Sequence, residues 1–154
     1  MKKKLLAFSI AIICNLTATV LNADDQVSPG LMCRYYDPLG YDDYFDPGGY
    51  GANGIRNVDS SSHYVSCPIS KDPTAKTRSA WIIINDDSTY CRFYVRTASG
   101  GSSSYTPTIV SSGSWYLYLW DFGSSGLDTA DDSVAIYCRI DAGKVINYFA
   151  HQEL

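Results

Sequence analysis

Glutamate is nearly missing from this chain: Glu153 is the single exception among 16 acidic residues, the rest being aspartate. Glutamate favours helices, whereas Asp, Asn, Ser and Gly favour turns, so the imbalance argues against long amphipathic helices. No segment shows a sustained helical period. The chain has only two histidines and no C-x-x-C pair, which leaves a zinc site without a ligand set. No G-x-S-x-G elbow and no EF-hand loop occurs, so neither an α/β-hydrolase nucleophile nor an EF-hand calcium site is indicated. The longest apolar run, Leu5 to Cys14, is interrupted by Asn15 and Thr17 and falls short of the roughly 20 residues of a spanning helix.

That short run follows Lys2, Lys3 and Lys4 and precedes a small residue, Ala23. This is the layout of a secretory signal peptide over residues 1–23, followed by one domain over 24–154. Cys14 stands after the bulky Ile13, which disfavours lipid attachment, and Leu21 is larger than a cleavage site prefers. The expected product is secreted or periplasmic, without a transmembrane anchor, and monomeric. Its nine basic and 16 acidic residues leave a formal charge of −7. An acidic chain repels phosphate backbones, so nucleic acid is not an expected partner. Export would also let Cys33, Cys67, Cys91 and Cys138 oxidise.

Short alternating runs separated by Gly, Ser, Pro, Asn and Asp predict about eight strands: Leu31–Tyr36, His63–Ile69, Ser79–Ile84, Thr89–Thr97, Thr106–Val110, Trp115–Phe122, Ser133–Ile140 and Val145–His151. Asn85 to Ser88 and Asp141 to Lys144 read as hairpin turns, and Ser99 to Ser104 as a mobile tip. Asp37 to Asn57 reads as a long ordered loop. The fold class expected is an all-β two-sheet sandwich. Alternation puts Cys91, Phe93 and Val95 on one side of their strand, opposite Arg92, Tyr94 and Arg96. Val134, Ile136, Cys138 and Ile140 lie likewise opposite Ala135, Tyr137 and Arg139, and Val65, Cys67 and Ile69 repeat the pattern. Cysteines on apolar faces suit buried structural disulfides. Four cysteines allow three pairings; Cys33–Cys67 with Cys91–Cys138 is the expected one.

The run Trp115 to Trp120 is the first candidate site. If its leucines face the core, Tyr116, Tyr118 and Trp120 project outward as a platform on which sugar rings could stack; otherwise it is a central strand covered by the Asp37–Asn57 loop. Tyr41 and Tyr44, in a loop rich in Tyr and Asp, form the second, suited to glycan or protein recognition or simply packed on the sandwich edge. Asp128, Asp131 and Asp132, and Asp86 with Asp87, could contribute oxygens to a structural calcium, although Asp is common in turns for conformational reasons; otherwise no cofactor or metal is expected. His63, three serines and Asp59 supply triad residue types, but neighbours on one strand do not form a triad. Catalysis is not expected.

Met32-Cys33-Arg34, Gly54-Ile55-Arg56-Asn57, Val65-Ser66-Cys67-Pro68-Ile69, Tyr90-Cys91-Arg92-Phe93 and Ile136-Tyr137-Cys138-Arg139-Ile140 together resemble a family of small secreted, four-cysteine bacterial proteins of uncharacterised function. The resemblance implies a jelly-roll-like sandwich and transfers no active-site residue. The function expected is a non-catalytic binding module for glycan or cell-surface ligands. A protein-interaction role (inhibitor, surface-matrix component or host-directed factor) is the alternative, and a hydrolase stands third.

Overall fold

The computed structural model describes residues 25–35, 45–47 and 54–154. The leader, Tyr41 and Tyr44 lie outside them. The described chain forms β1 (Asp25–Pro29), a 3-10 turn at Gly30–Met32, β2 (Arg34–Tyr35), β3 (Phe45–Pro47), β4 (Ile55–Asn57), β5 (His63–Ile69), β6 (Thr77–Ile84), β7 (Tyr90–Arg96), β8 (Ser102–Tyr105), β9 (Thr108–Ser112), β10 (Trp115–Asp121), β11 (Ser133–Ile140) and β12 (Val145–Glu153). All ladders between these strands are antiparallel. One sheet runs β3-β4-β12-β6-β10-β9 with β1 also on β12, and the other runs β2-β5-β11-β7-β8. The result is the expected all-β sandwich, built from more and shorter strands than the eight anticipated.

The alternation works as read for the five-stranded sheet. Val65, Cys67, Phe93, Ile136, Cys138 and Ile140 are fully or almost fully buried and meet Ile82, Ile84, Ile146 and Phe149 of the other sheet. Both expected disulfides form. Cys91 and Cys138 are direct register partners on β7 and β11, with Cα atoms 4.1 Å apart. Cys33 lies beside β2, one step from the Arg34–Ser66 pair, and bonds Cys67 with a Cα separation of 4.0 Å.

Four local expectations need correction. Leu31–Tyr36 is no continuous strand, because the 3-10 turn interrupts it. That turn packs so tightly that a Cβ on Gly30 would lie 2.5 Å from the Ile146 carbonyl oxygen on β12. The second part of the Ser99–Ser104 tip is β8, paired along β7. The Asp37–Asn57 loop contains β3 and β4. Finally, neither proposed hairpin turn closes a hairpin: Asn85–Ser88 and Asp141–Lys144 each carry the chain from one sheet to the other. Turn chemistry reports a reversal of direction, not which ladder the next strand joins.

These two crossings hold each other. The Asp86 carboxylate accepts hydrogen bonds from Ser88 and Thr89 at 3.0 and 2.9 Å and lies 3.2 Å from Lys144 Nζ. Burial opposes ionisation of Asp86, but these donors outweigh it and hold its pKa below the ordinary carboxylate value. Asn85 Oδ1 accepts the Val145 N–H at 2.7 Å. From β10, the fully buried Tyr118 donates its hydroxyl to the Asp86 carbonyl at 2.7 Å. Burial, with a contribution from the Asp86 charge, raises the Tyr118 pKa to about 12.

Raised pKa on folding means that the native state keeps a proton the unfolded chain releases near pH 10. The associated stability is complete below pH 10 and is lost as pH rises toward about 12. We expect a loss of about 2 kcal/mol across that interval, read as a falling urea midpoint. Tyr118→Phe should remove most of this pH dependence, and an unchanged alkaline slope in that variant would refute the assignment.

Candidate functional site

The outward-facing residues of the five-stranded sheet form a lattice set by register. Across β5, β11 and β7, Tyr64, Arg139 and Tyr90 make one row. Arg34, Ser66, Tyr137 and Arg92 make the next, with β2 contributing the first of them. A third contains Pro68, Ala135, Tyr94 and Ser104, and a fourth Ser133, Arg96 and Ser102. Rows along a strand repeat at about 6.8 Å and neighbouring strands at about 4.8 Å, so Tyr64 and Tyr90 stand about 10 Å apart across Arg139.

Between these side chains lies an open groove of about 650 Å³, lined by Tyr64, Tyr90, Tyr94 and Tyr137 together with Ser66, Ser133 and Arg96 among others. Small residues at Ser66, Ser133 and Ala135 leave space between the rings. Tyr64 and Tyr90 are each 50% exposed, unusual for large aromatics aligned on one face. Tyr94 and Tyr137 meet edge to face with ring centroids 5.0 Å apart, which fixes their planes relative to one another. The Arg92 guanidinium lies 5.1 Å from the Tyr90 ring centroid, donates from Nε to the Tyr90 hydroxyl at 2.9 Å, and donates from Nη1 to Thr106 Oγ1. Chemically, the groove presents flat π faces, rotatable hydroxyls and the Arg96 guanidinium, while Arg34, Arg92 and Arg139 stand on the same sheet face outside its lining.

The aromatic strand anticipated as the platform does something else. Tyr118 and Trp120 point into the sandwich, and Tyr116 packs against the core from the same side. Trp120 lies against Phe93 of the opposite sheet, ring centroids 6.2 Å apart, and donates its indole N–H to the Tyr105 carbonyl at 2.8 Å. These three are therefore unavailable as an exposed platform. Each parity of this strand carries large apolar groups, so alternation alone leaves the choice open. The space between the sheets decides it, because the tyrosine and tryptophan tips find buried acceptors there. Trp115, Leu117 and Leu119 take the outer face, half-buried.

Asp59 and His63 meet as a pair. His63 Nε2 lies 2.6 Å from the Asp59 carboxylate, and its Nδ1 lies 3.2 Å from the Tyr35 hydroxyl. The side-chain bond to His63, then the Ser60 amide, holds the Asp59 pKa below its ordinary value. A phenol occupies the position a nucleophilic serine would need, and the neighbouring Ser62 hydroxyl is committed to Asp141. Of the aspartates considered as calcium ligands, Asp128 accepts the Ala130 N–H and Asp86 is engaged as described. Among the described residues, no group of three or more His, Cys, Asp or Glu converges on a common point. Among the same residues, no helix is long and apolar enough to cross a membrane.

Residue order alone does not single out the tyrosine groove, although its signal is there. Tyr94, Tyr137 and the arginines beside them stand opposite the cysteine-bearing faces in the alternating runs. What was missing was strand adjacency: β5, β11 and β7 are far apart in sequence, and only their pairing gathers the rings.

No protein-family model and no curated protein matches the chain. Among solved structures it is similar to two variants of CBM29-2, a family 29 carbohydrate-binding module. For one, the TM-score is 0.40 at 14% identity, covering 82% of this chain and 91% of that one. For the other, the TM-score is 0.42 at 13% identity, covering 83% and 85%.

Proposed function

We propose that this protein is a non-catalytic glycan-binding module whose site is the groove on the outer face of the five-stranded sheet. The observation that carries the reading is the alignment of Tyr64, Tyr90, Tyr94 and Tyr137 along an open groove with serine hydroxyls between them. A sugar ring presents C–H groups on its faces and hydroxyls at its edge. Tyrosine faces accept the former and serine or arginine hydrogen-bonds the latter. Placement on regular, disulfide-stapled strands keeps the rings ordered before a ligand arrives, which lowers the entropy cost of binding. Export to an oxidising compartment, which the leader and the two disulfides support, would place the site where extracellular polysaccharides occur.

A glycan array probed with the wild-type protein tests this. Tyr90→Ala and Tyr94→Ala are each expected to weaken the strongest interaction about tenfold, equivalent to about 1.4 kcal/mol. Both positions are exposed, so thermal stability should hardly move. Tyr148→Ala, on the other sheet, should leave binding unchanged. Wild-type protein that retains no glycan on the array removes the reading.

A further inference from the structure

The groove face is strongly basic on an acidic protein. Its outward positions on β2, β5, β7, β8 and β11 include Arg34, Arg92, Arg96 and Arg139 and no aspartate or glutamate. The whole chain nevertheless carries a formal charge of −4. Such segregation of charge focuses a positive field over one surface. It also costs stability, since like charges near one another on a sheet repel. Folding alone gives no reason to gather four guanidiniums there. Their only carboxylate contact among the described residues is a loose one, Asp141 at 3.9 Å from Arg139 on an exposed edge, and such a pair contributes little.

All four cations are arginine, and none of the three lysines beyond the leader (Lys71, Lys76 and Lys144) stands on this face. The guanidinium is a planar fork that matches carboxylate and sulfate oxygens in pairs, which an ammonium does not. Arg92 is already oriented by the Tyr90 ring and hydroxyl and by Thr106. Arg34 and Arg96 are exposed, and neither has a carboxylate partner among the described residues. Arginine and tyrosine also alternate within rows: Tyr64-Arg139-Tyr90 in one, and Tyr137 beside Arg92 in the next. A polymer of sugar rings bearing regularly spaced anionic groups matches that alternation.

Resting on the glycan-binding reading above, we infer that the ligand is an anionic polysaccharide, its rings on the tyrosines and its carboxylates or sulfates on the arginines. The negative charge of the rest of the molecule counts against a nucleic-acid strand, whose phosphates repeat at higher density and would meet that charge beyond the groove.

Affinity electrophoresis and calorimetry with defined polymers test the inference. The probes are polygalacturonate, its fully methyl-esterified form, κ-carrageenan, a neutral galactomannan and oligo(dT). Polygalacturonate or κ-carrageenan should bind at least tenfold more tightly than either neutral polymer, and these two arms separate carboxylate from sulfate recognition. Binding should weaken steeply between 50 and 500 mM NaCl, a range of roughly threefold in screening length. Arg34→Gln and Arg96→Gln should each cost about tenfold, the loss expected for a charge-assisted contact, without changing the melting temperature. Equal binding of esterified and free polygalacturonate, with the arginine variants unaffected, overturns the inference and leaves the glycan reading intact. Binding of none of the polysaccharides overturns the inference, and the glycan reading falls with it only when the array is blank as well. Oligo(dT) bound as tightly as the anionic polysaccharides also overturns it, because the face would then be a general polyanion site.

Discussion

Replacing Cys91 and Cys138 together by alanine is expected to lower the free energy of unfolding by about 4 kcal/mol. The two residues are separated by 47 positions in the chain, so opening the bond frees a long loop in the unfolded ensemble. In the folded state they are register partners in the ladder between β7 and β11, which has seven paired positions. That ladder holds the strands together with or without the sulfurs, so the effect lies mainly on the unfolded side. A domain of this size has a total stability of about 5–15 kcal/mol, and the loss would be a large share of it. The Cys33–Cys67 bond closes a loop of similar length, 34 positions. Its native role differs, because β2 has only two register pairs with β5. Cutting it should lower global stability by a comparable amount and also speed amide exchange in β2. Guanidinium unfolding of the two double variants, with hydrogen exchange, checks both statements. A loss below about 1 kcal/mol for the Cys91/Cys138 variant would show that the chain-entropy account fails here.

Trp120→Ala is expected to cost about 3–5 kcal/mol of stability while leaving the intrinsic glycan affinity of the folded fraction unchanged. The indole is 2% exposed, sits between the sheets against Phe93, and donates to the Tyr105 carbonyl. Truncation therefore removes apolar contacts, opens a cavity and leaves the half-buried Tyr105 carbonyl without this donor. Trp120→Phe keeps much of the volume and should cost less, mainly the hydrogen bond, about 1 kcal/mol. Tyr94→Ala, on the outer face, should show the opposite behaviour: little change in stability and weakened binding. Urea midpoints combined with binding isotherms at a temperature where all variants are folded separate the two patterns. A Trp120→Ala protein as stable as wild type but unable to bind would place the ligand site at β10 rather than on the five-stranded sheet.

Much of the five-stranded sheet was legible from residue order because each of its long strands is apolar on one parity only. Val65, Cys67 and Ile69 face inward, as do Cys91, Phe93 and Val95. A clean period of two leaves a single face that can be buried. The cysteine pairing was one of three possibilities until the ladder put Cys91 opposite Cys138. β10 was ambiguous for the opposite reason: either parity could fill a core, and the decision went to the aromatics whose polar tips meet Asp86 and Tyr105 carbonyls. The two short turns do not close hairpins: Asp86 bonds Ser88 and Thr89 within its own reversal, but it and Asn85 also bond across to Lys144 and Val145, and each turn leads into the opposite sheet.

The amino-acid order by itself determined the all-β class, the inward placement of the cysteines and the polarity of each strand in the five-stranded sheet. These depend on interactions between a side chain and its own backbone, or on a repeat of two along one strand, and both are local. Only the tertiary structure decided which strands lie side by side, and so that four tyrosines and four arginines from distant segments share one open face. That outcome depends on long-range antiparallel pairing through β11, whose register partners are tens of residues away on either flank. No local preference encodes such a neighbour; it follows from burying both sheets' apolar faces at once.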